Sequence, residues 1–271
     1  TSMAGKGKNS APFSVRAKRF VTSKSFIRGI IAVAGFFAFW QVAAMGAVPF
    51  LSVLPTPVEV AKAFWKFMFT GKYWVSWGES TLRVMYGFVA AQILGIPLGL
   101  GMGWSRNFKD LTYPMFELLR PIPPLAWVPV SILFWPTNES SIAFITFIGA
   151  FFTIVVNVLG GVSAIPKELV NSAVSFGASP RQVFWRVVLP ATIPSIATGM
   201  MVGIGITWNV VIAAEMIAGN AGLGRLTWEA YQASHTEGVL VGMISIGVAG
   251  YVSSMVVKMV SDFLMPWKKI F

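Results

Sequence analysis

The side chains able to do acid–base or nucleophilic chemistry are few and scattered. The 271 residues contain one histidine, His235, and no cysteine. A His-cluster metal site, a thiolate nucleophile and a disulfide are therefore excluded. No G-x-x-x-x-G-K-[ST] occurs. Gly5-Lys6-Gly7-Lys8 lacks the first glycine and the hydroxyl residue, so the chain is not expected to hydrolyse ATP itself. What remains is a set of isolated polar groups in apolar surroundings: Glu117, Arg120, Asn157, Asn209 and Glu215. No two carboxylates lie at helical spacing within one apolar span, which argues against a proton relay. Arg120 adjoins Pro121, Pro123 and Pro124, which must break a helix and free backbone groups to line a cavity. There it can attract a small anion, or it can pair with Glu117 one turn earlier. Asn157 and the run Thr207, Trp208, Asn209 can face a pathway or bond a neighbouring helix. Glu215 reads as a gate or a structural ion more than as a ligand. No catalytic residue and no metal site is expected.

Such groups must be held by elements built for lipid. Only 11% of residues are charged and 55% are apolar, against about 25% charged in a soluble domain. Six stretches are long enough to span a bilayer core of about 20 residues as helix: Phe26 to Phe50, Leu82 to Trp104, Leu111 to Trp135, Ser141 to Val162, Ile193 to Ile217 and Val239 to Leu264. The second is rich in glycine and the third in proline. The net charge of +11 is unevenly spread, with seven basic residues and no acid before residue 29. This is a topology signal, not a nucleic-acid footprint. With the N-terminus in the cytoplasm, Arg106, Lys109, Lys167, Arg181, Arg186, Lys268 and Lys269 fall inside, and Glu139, Glu229 and Glu237 outside. The expected organisation is a basic cytoplasmic segment 1–25, one membrane domain 26–267 and a cytoplasmic tail 268–271. The outer segment Leu51–Thr81 is expected to hold a short interfacial helix after Pro57, or a plain aromatic belt anchor.

The longest inner connection, Ser163–Thr192, has its own pattern. Pro166 starts a short helix and Gly177 ends it where a left-handed cap is natural. Ser179-Pro180 caps a second, which Pro190 is expected to stop. Leu169, Val170, Ala173, Phe176 and Phe184 leave apolar surface on these helices that calls for a protein partner or a membrane base.

Ala173-x-x-x-Gly177-Ala178-Ser179, followed by Val187-Val188-Leu189-Pro190 and Pro194, resembles the cytoplasmic loop of permease subunits in binding-protein-dependent ABC importers. The resemblance covers roughly residues 51 to 267. Leu54-Pro55-Thr56-Pro57, the run from Leu119-Arg120-Pro121 through Trp127 to Pro129, Ala213-Ala214-Glu215-Met216-Ile217 and Gly222-Leu223-Gly224 are similar to the nitrate/sulfonate/taurine/bicarbonate branch. Asn171 and Ser172 stand where that family has Glu-Ala, and Phe134–Asn138 departs from its usual turn. The resemblance implies an all-α membrane protein of six transmembrane helices with a cytoplasmic coupling-helix loop (about 163–192), in a bacterial inner membrane with both termini cytoplasmic. It implies an ATPase-coupling surface at Lys167, Glu168, Leu169, Asn171, Ser172, Ala173, Phe176, Gly177, Ala178, Leu189 and Pro190. It implies a pathway among Arg120, Pro121, Pro123, Trp127, Asn157, Thr207, Trp208, Asn209 and Glu215. The expected partners are two ABC ATPase subunits holding ATP and Mg, a second copy of this chain as homodimer, a substrate-binding protein and lipid. The expected cargo is taurine or another sulfonate, with nitrate or bicarbonate as the alternative; a self-contained channel or secondary carrier is the distant alternative.

Overall fold

The computed structural model describes residues 24–47 and 54–265. The described residues fall into two compact units, one up to Lys62 and one from Ala63 onward. In the first unit, α1 (Lys24–Val42) is an apolar helix with an aromatic cluster of Phe36, Phe37 and Trp40. It passes into a π-helical turn, Ala43–Ala47, where Gly46 takes φ 100° and ends the run. Val48 to Phe50, the expected end of the first span, and most of the basic segment lie outside the described residues. Glu59 Oε2 accepts from the backbone N–H of Thr56 at 2.7 Å, capping the start of α2 (Pro57–Met68). The short helix expected after Pro57 is therefore formed.

From Ala63 onward the described residues are helical throughout, joined by short turns. They comprise α3 (Gly71–Trp104), α4 (Arg106–Leu119), a 3-10 turn (Pro124–Trp127), α5 (Val128–Phe134), α6 (Asn138–Ser163) and α7 (Lys167–Ser175). A single helical turn α8 (Pro180–Val183) and a π-helical turn (Phe184–Val188) lead into α9 (Leu189–Ala218), followed by α10 (Leu223–Gln232) and α11 (Thr236–Leu264). The expected all-α class holds. Five helices among the described residues are long and apolar enough to cross a membrane, joined by the shorter apolar piece Pro124–Phe134.

The differences from the sequence reading have local causes. The third span is not one helix: after Leu119 the prolines remove backbone donors, and the chain crosses as α4, a 3-10 turn and α5. The second span begins at Gly71, well before Leu82, because Tyr73 and Trp77 extend its apolar face. Pro190 does not stop a helix. It sits in the first turn of α9, where a missing N–H costs little, and the π turn before it absorbs the misfit. The fifth span runs as unbroken helix through Thr207 to Asn209. The helix α10 lies in what was expected to be an outer loop.

The core is built around α6, which α3 and α9 flank. On α3, Gly87, Ala91, Gly95, Gly99 and Gly103 recur every four residues. A Cβ on Gly87 would lie 2.6 Å from Cβ of Thr146, and one on Gly99 would lie 2.8 Å from Cβ of Val158. The bare stripe thus lets the two backbones approach, running in the same direction, with Thr146, Ile154, Val158 and Val162 filling the groove. On its other side α6 meets α9 running oppositely, with Gly199 against Asn157 and Gly161 against Ser195. Ile142, Ile145, Ile154, Val158 and Val211 are fully buried there.

Candidate functional site

Three polar regions are held by this frame. The first is at the α3 N-terminal end. Arg83, 3% exposed, and Glu215, fully buried, are joined by Nη1 to Oε1 at 2.9 Å. Arg83 Nε also donates to Glu139 Oε2 at 2.7 Å, its Nη2 reaches Glu139 Oε1, and its Nη1 donates to the carbonyl of Ala221 at 2.6 Å. Glu215 further accepts from Ser80 Oγ at 2.7 Å and from the N–H of Gly224 at 2.9 Å. Ser80 Oγ in turn accepts from the N–H of Leu223 at 2.8 Å. Gly222 has φ +122°, and a Cβ there would strike the Glu215 carboxylate. The Gly-Leu-Gly turn is therefore a cradle for that carboxylate. Every hydrogen-bonding group in the cluster has a partner, as burial demands. Glu215 is thus placed in a structural ion pair, and Arg83, which sequence reasoning did not single out, is its hub. The signal available was Glu79 four residues before it, at 3.5 Å in the structure, but the other partners are remote in sequence.

The second region is a cavity of about 310 Å3 beside the middle turns of α6, with Arg120, Ile122, Pro124, Phe152, Asn157 and Ile206 in its walls. Pro121 and Pro123 shape the break that turns Arg120 toward it. Arg120 is the C-cap of α4, and its side chain is 46% exposed with Glu117 only at 3.8 Å. Neither Glu117 nor Arg120 is buried in this chain, contrary to the expectation. Asn157 donates its amide N–H to the carbonyl of Thr153 at 2.8 Å, which leaves its oxygen and second N–H for the cavity. The structure therefore brings Arg120 and Asn157 together. It does not bring the α9 residues with them. Thr207 is fully buried and donates to the Gly203 carbonyl at 2.8 Å. Trp208 is 3% exposed and donates to Ser253 Oγ at 2.7 Å, tying α9 to α11. Asn209 is exposed on the face of α9 that also carries Thr198, Met201 and Gly205. The indole N–H of Trp127 is buried without a partner.

The third region is the loop 163–192. α7 buries Val170 and Ala173 partly against the core, as it does Ala178 beyond the cap. Lys167, Glu168, Leu169, Asn171, Ser172, Val174 and Phe176 stand exposed, Phe176 at 91%. Gly177 has φ +82°. The N–H of Ala178 bonds the Ala173 carbonyl at 3.1 Å and that of Gly177 bonds Val174 at 2.9 Å. This is the paired closure that a left-handed glycine makes at a helix end. Ser179 and Gln182 then cap the next turn reciprocally. Leu189 and Pro190 belong to the first turn of α9.

Outside the spans, Glu229 on α10 accepts from Lys72 Nζ at 2.6 Å and from Arg225 Nε at 3.1 Å. The Lys72 ammonium, more than Arg225, holds its carboxyl below the usual carboxylate range, against a smaller opposing effect of burial. No group of three or more metal-ligating side chains is found among the described residues.

Comparison with known proteins agrees with this architecture. Residues 95–269 match the family described as "Binding-protein-dependent transport system inner membrane component". The chain is 45% identical over 192 residues to MJ0413 of Methanocaldococcus jannaschii, provisionally named an ABC transporter permease protein, covering 70% of this chain and 72% of that one. It is 31% identical over 256 residues to the nitrate import permease protein NrtB of Synechocystis, covering 91% and 92%. It is 33% identical over 194 residues to the taurine transport system permease protein TauC of Escherichia coli, covering 72% and 70%. A multi-pass helical bundle, a capped helical loop exposing apolar side chains and these matches converge: the chain belongs to the family of binding-protein-dependent ABC importer permeases.

Proposed function

We propose that this chain is the membrane subunit through which a small oxyanion, taurine or another sulfonate, is imported. The observation that supports this reading is the Arg120–Asn157 cavity. A guanidinium with a loosely held counter-ion and an amide with a free N–H face one space at a break in a spanning helix. A sulfonate can be held there by charge-assisted hydrogen bonds without a second fixed charge to trap it. Nitrate is the second reading, favoured by the match to NrtB along nearly the whole chain; bicarbonate is chemically close to both.

Both termini lie in the cytoplasm in this reading, which places α7 inside and the Arg83 cluster at the outer end. The exposed row Leu169, Val174 and Phe176 is the docking face for one of two separate ATPase subunits, which hold ATP and Mg. The exposed face of α9 carries a bare glycine and an unpaired amide that lipid would not satisfy. A second copy of the chain covers it across the pathway. A binding protein delivers the anion at the outer end. ATP closing the ATPase pair moves the α7 helices and turns the cavity outward by biasing two arrangements of the whole assembly.

The test is uptake into liposomes containing the permease with its ATPase and binding protein. ATP-dependent uptake of taurine exceeding that of nitrate and bicarbonate is expected. Nitrate uptake alone would transfer the reading to the second cargo. Failure of any ATPase to co-purify, with solute moving down its gradient through the chain alone, would overturn it.

A further inference from the structure

A second cavity lies away from the anion site. The C-terminal end of α3 and the segment Pro180–Leu189 leave a groove of about 630 Å3 between them. Its walls are Pro97, Leu100, Trp104, Phe184 and Leu189, joined by Trp185. Among the described residues, the one charged side chain lining it is Arg181. Arg181 is exposed, and no ion pair among the described residues involves it. Walls this apolar offer an ordered water few hydrogen-bond partners. Two tryptophans, Trp104 at 39% and Trp185 at 57% exposure, flank it, and tryptophan is the residue of the headgroup level.

We propose that this groove binds an anionic phospholipid, one acyl chain lying along Leu100 and Leu189 and the phosphate on Arg181. Basic pockets between helices on the cytoplasmic side are the sites at which anionic headgroups are held. The Trp residues fix the depth, the apolar walls take the chain, and the unpaired guanidinium selects the charge. The lipid would be wedged between α3, which is locked to the core, and the segment that carries the coupling helix α7. Its occupancy would therefore set how firmly that helix is held when an ATPase pulls on it. The inference rests on the reading that the loop faces the cytoplasm.

The experiment uses the purified permease–ATPase complex, exchanged into equal phosphatidylglycerol and phosphatidylcholine, with retained lipids counted by native mass spectrometry. Phosphatidylglycerol is expected to be retained roughly fivefold over phosphatidylcholine, the preference one basic residue supplies at an anionic surface. Arg181→Gln should abolish that preference and Arg181→Lys keep most of it; Arg181 is exposed, so neither change threatens the fold. In vesicles, brominated phosphatidylglycerol should quench the wild-type tryptophan emission more than brominated phosphatidylcholine, and the Trp104→Phe/Trp185→Phe double variant should lose the difference. Equal retention of both lipids, or a preference unchanged in Arg181→Gln, overturns the lipid site and leaves the importer reading standing. A disulfide between copies of a Trp185→Cys variant would give the groove to the second copy and overturn it likewise. Labelling of a Phe176→Cys variant from the outer side only would overturn the orientation, and both readings with it.

Discussion

Arg83 keeps 4% of its side chain accessible and has three carboxylates and a backbone carbonyl around it, whereas Arg120 keeps 46% accessible and has one carboxylate at 3.8 Å. The two regions hold the same cation in opposite states. Around Arg83 the chain supplies a partner to every donor and acceptor, from α3, α6, α9 and the Gly222–Gly224 turn. Around Arg120 the partners run out and a cavity begins. A buried charge with all its bonds made has nothing left to offer a solute; a charge with bonds unmade does. The first arginine is therefore architecture, and the second carries the recognition proposed above.

The sharpest way to break this contrast is to remove Arg83. Arg83→Met should cost about 3–5 kcal/mol, because Glu215 is left as an unpaired buried charge. Thermal unfolding and monodispersity in detergent would show it, and adding Glu215→Gln should recover part of the loss. A destabilisation below about 1 kcal/mol would mean the cluster is not structural. Arg120→Gln should do the reverse. Its stability should stay within about 0.5 kcal/mol of the parent, while uptake falls roughly 10- to 100-fold, the value of one charged hydrogen bond. If folding fails and the surviving protein transports normally, the two arginines have been assigned the wrong way round.

Smaller effects sharpen the picture at either end. Gly177→Val forces a β-branched side chain into a left-handed conformation and should cost about 1–2 kcal/mol locally. Amide exchange across α7 should rise while α3, α6 and α9 stay protected, and ATPase co-purification should weaken. Lys72→Ala removes an exposed partner of Glu229 and should cost at most about 1 kcal/mol. Because Glu229 is held below its usual range, the pair contributes at neutral pH and above. That contribution is lost as pH falls through the lowered value, below the ordinary glutamate range of about 4.3. Parent and Lys72→Ala melting curves should therefore converge in acid; a gap that persists there would show that the lysine acts through packing.

The spans, the glycine cap of α7 and the proline break beside Arg120 were legible because each is written within a few residues. Apolar run length, a glycine after a short helix and a proline cluster need no knowledge of distant chain. Arg83 was not legible. Its partners Glu139 and Glu215 are 56 and 132 residues away, and only Glu79 lies close to it in the chain. Thr207 and Trp208 are polar interruptions by composition, yet their bonds are made within α9 and to α11. Asn157 and Asn209 have the same side chain in neighbouring helices. Only the packing shows that the first opens into a cavity and the second onto the free face of its helix.

The four-residue repeat of small side chains along α3 has one further consequence. A groove of small residues every four positions nearly matches its neighbour again after sliding by one repeat, about 6 Å along the axis, with Ala91 the one tooth that differs. The small residues alone therefore specify the α3–α6 alignment only weakly, like a rack whose teeth are nearly alike. A slip of one tooth would tear Arg83 from Glu139 and Glu215. The ion cluster is thus the key that chooses among equivalent alignments, and it stands at the end of the groove where a slip would begin.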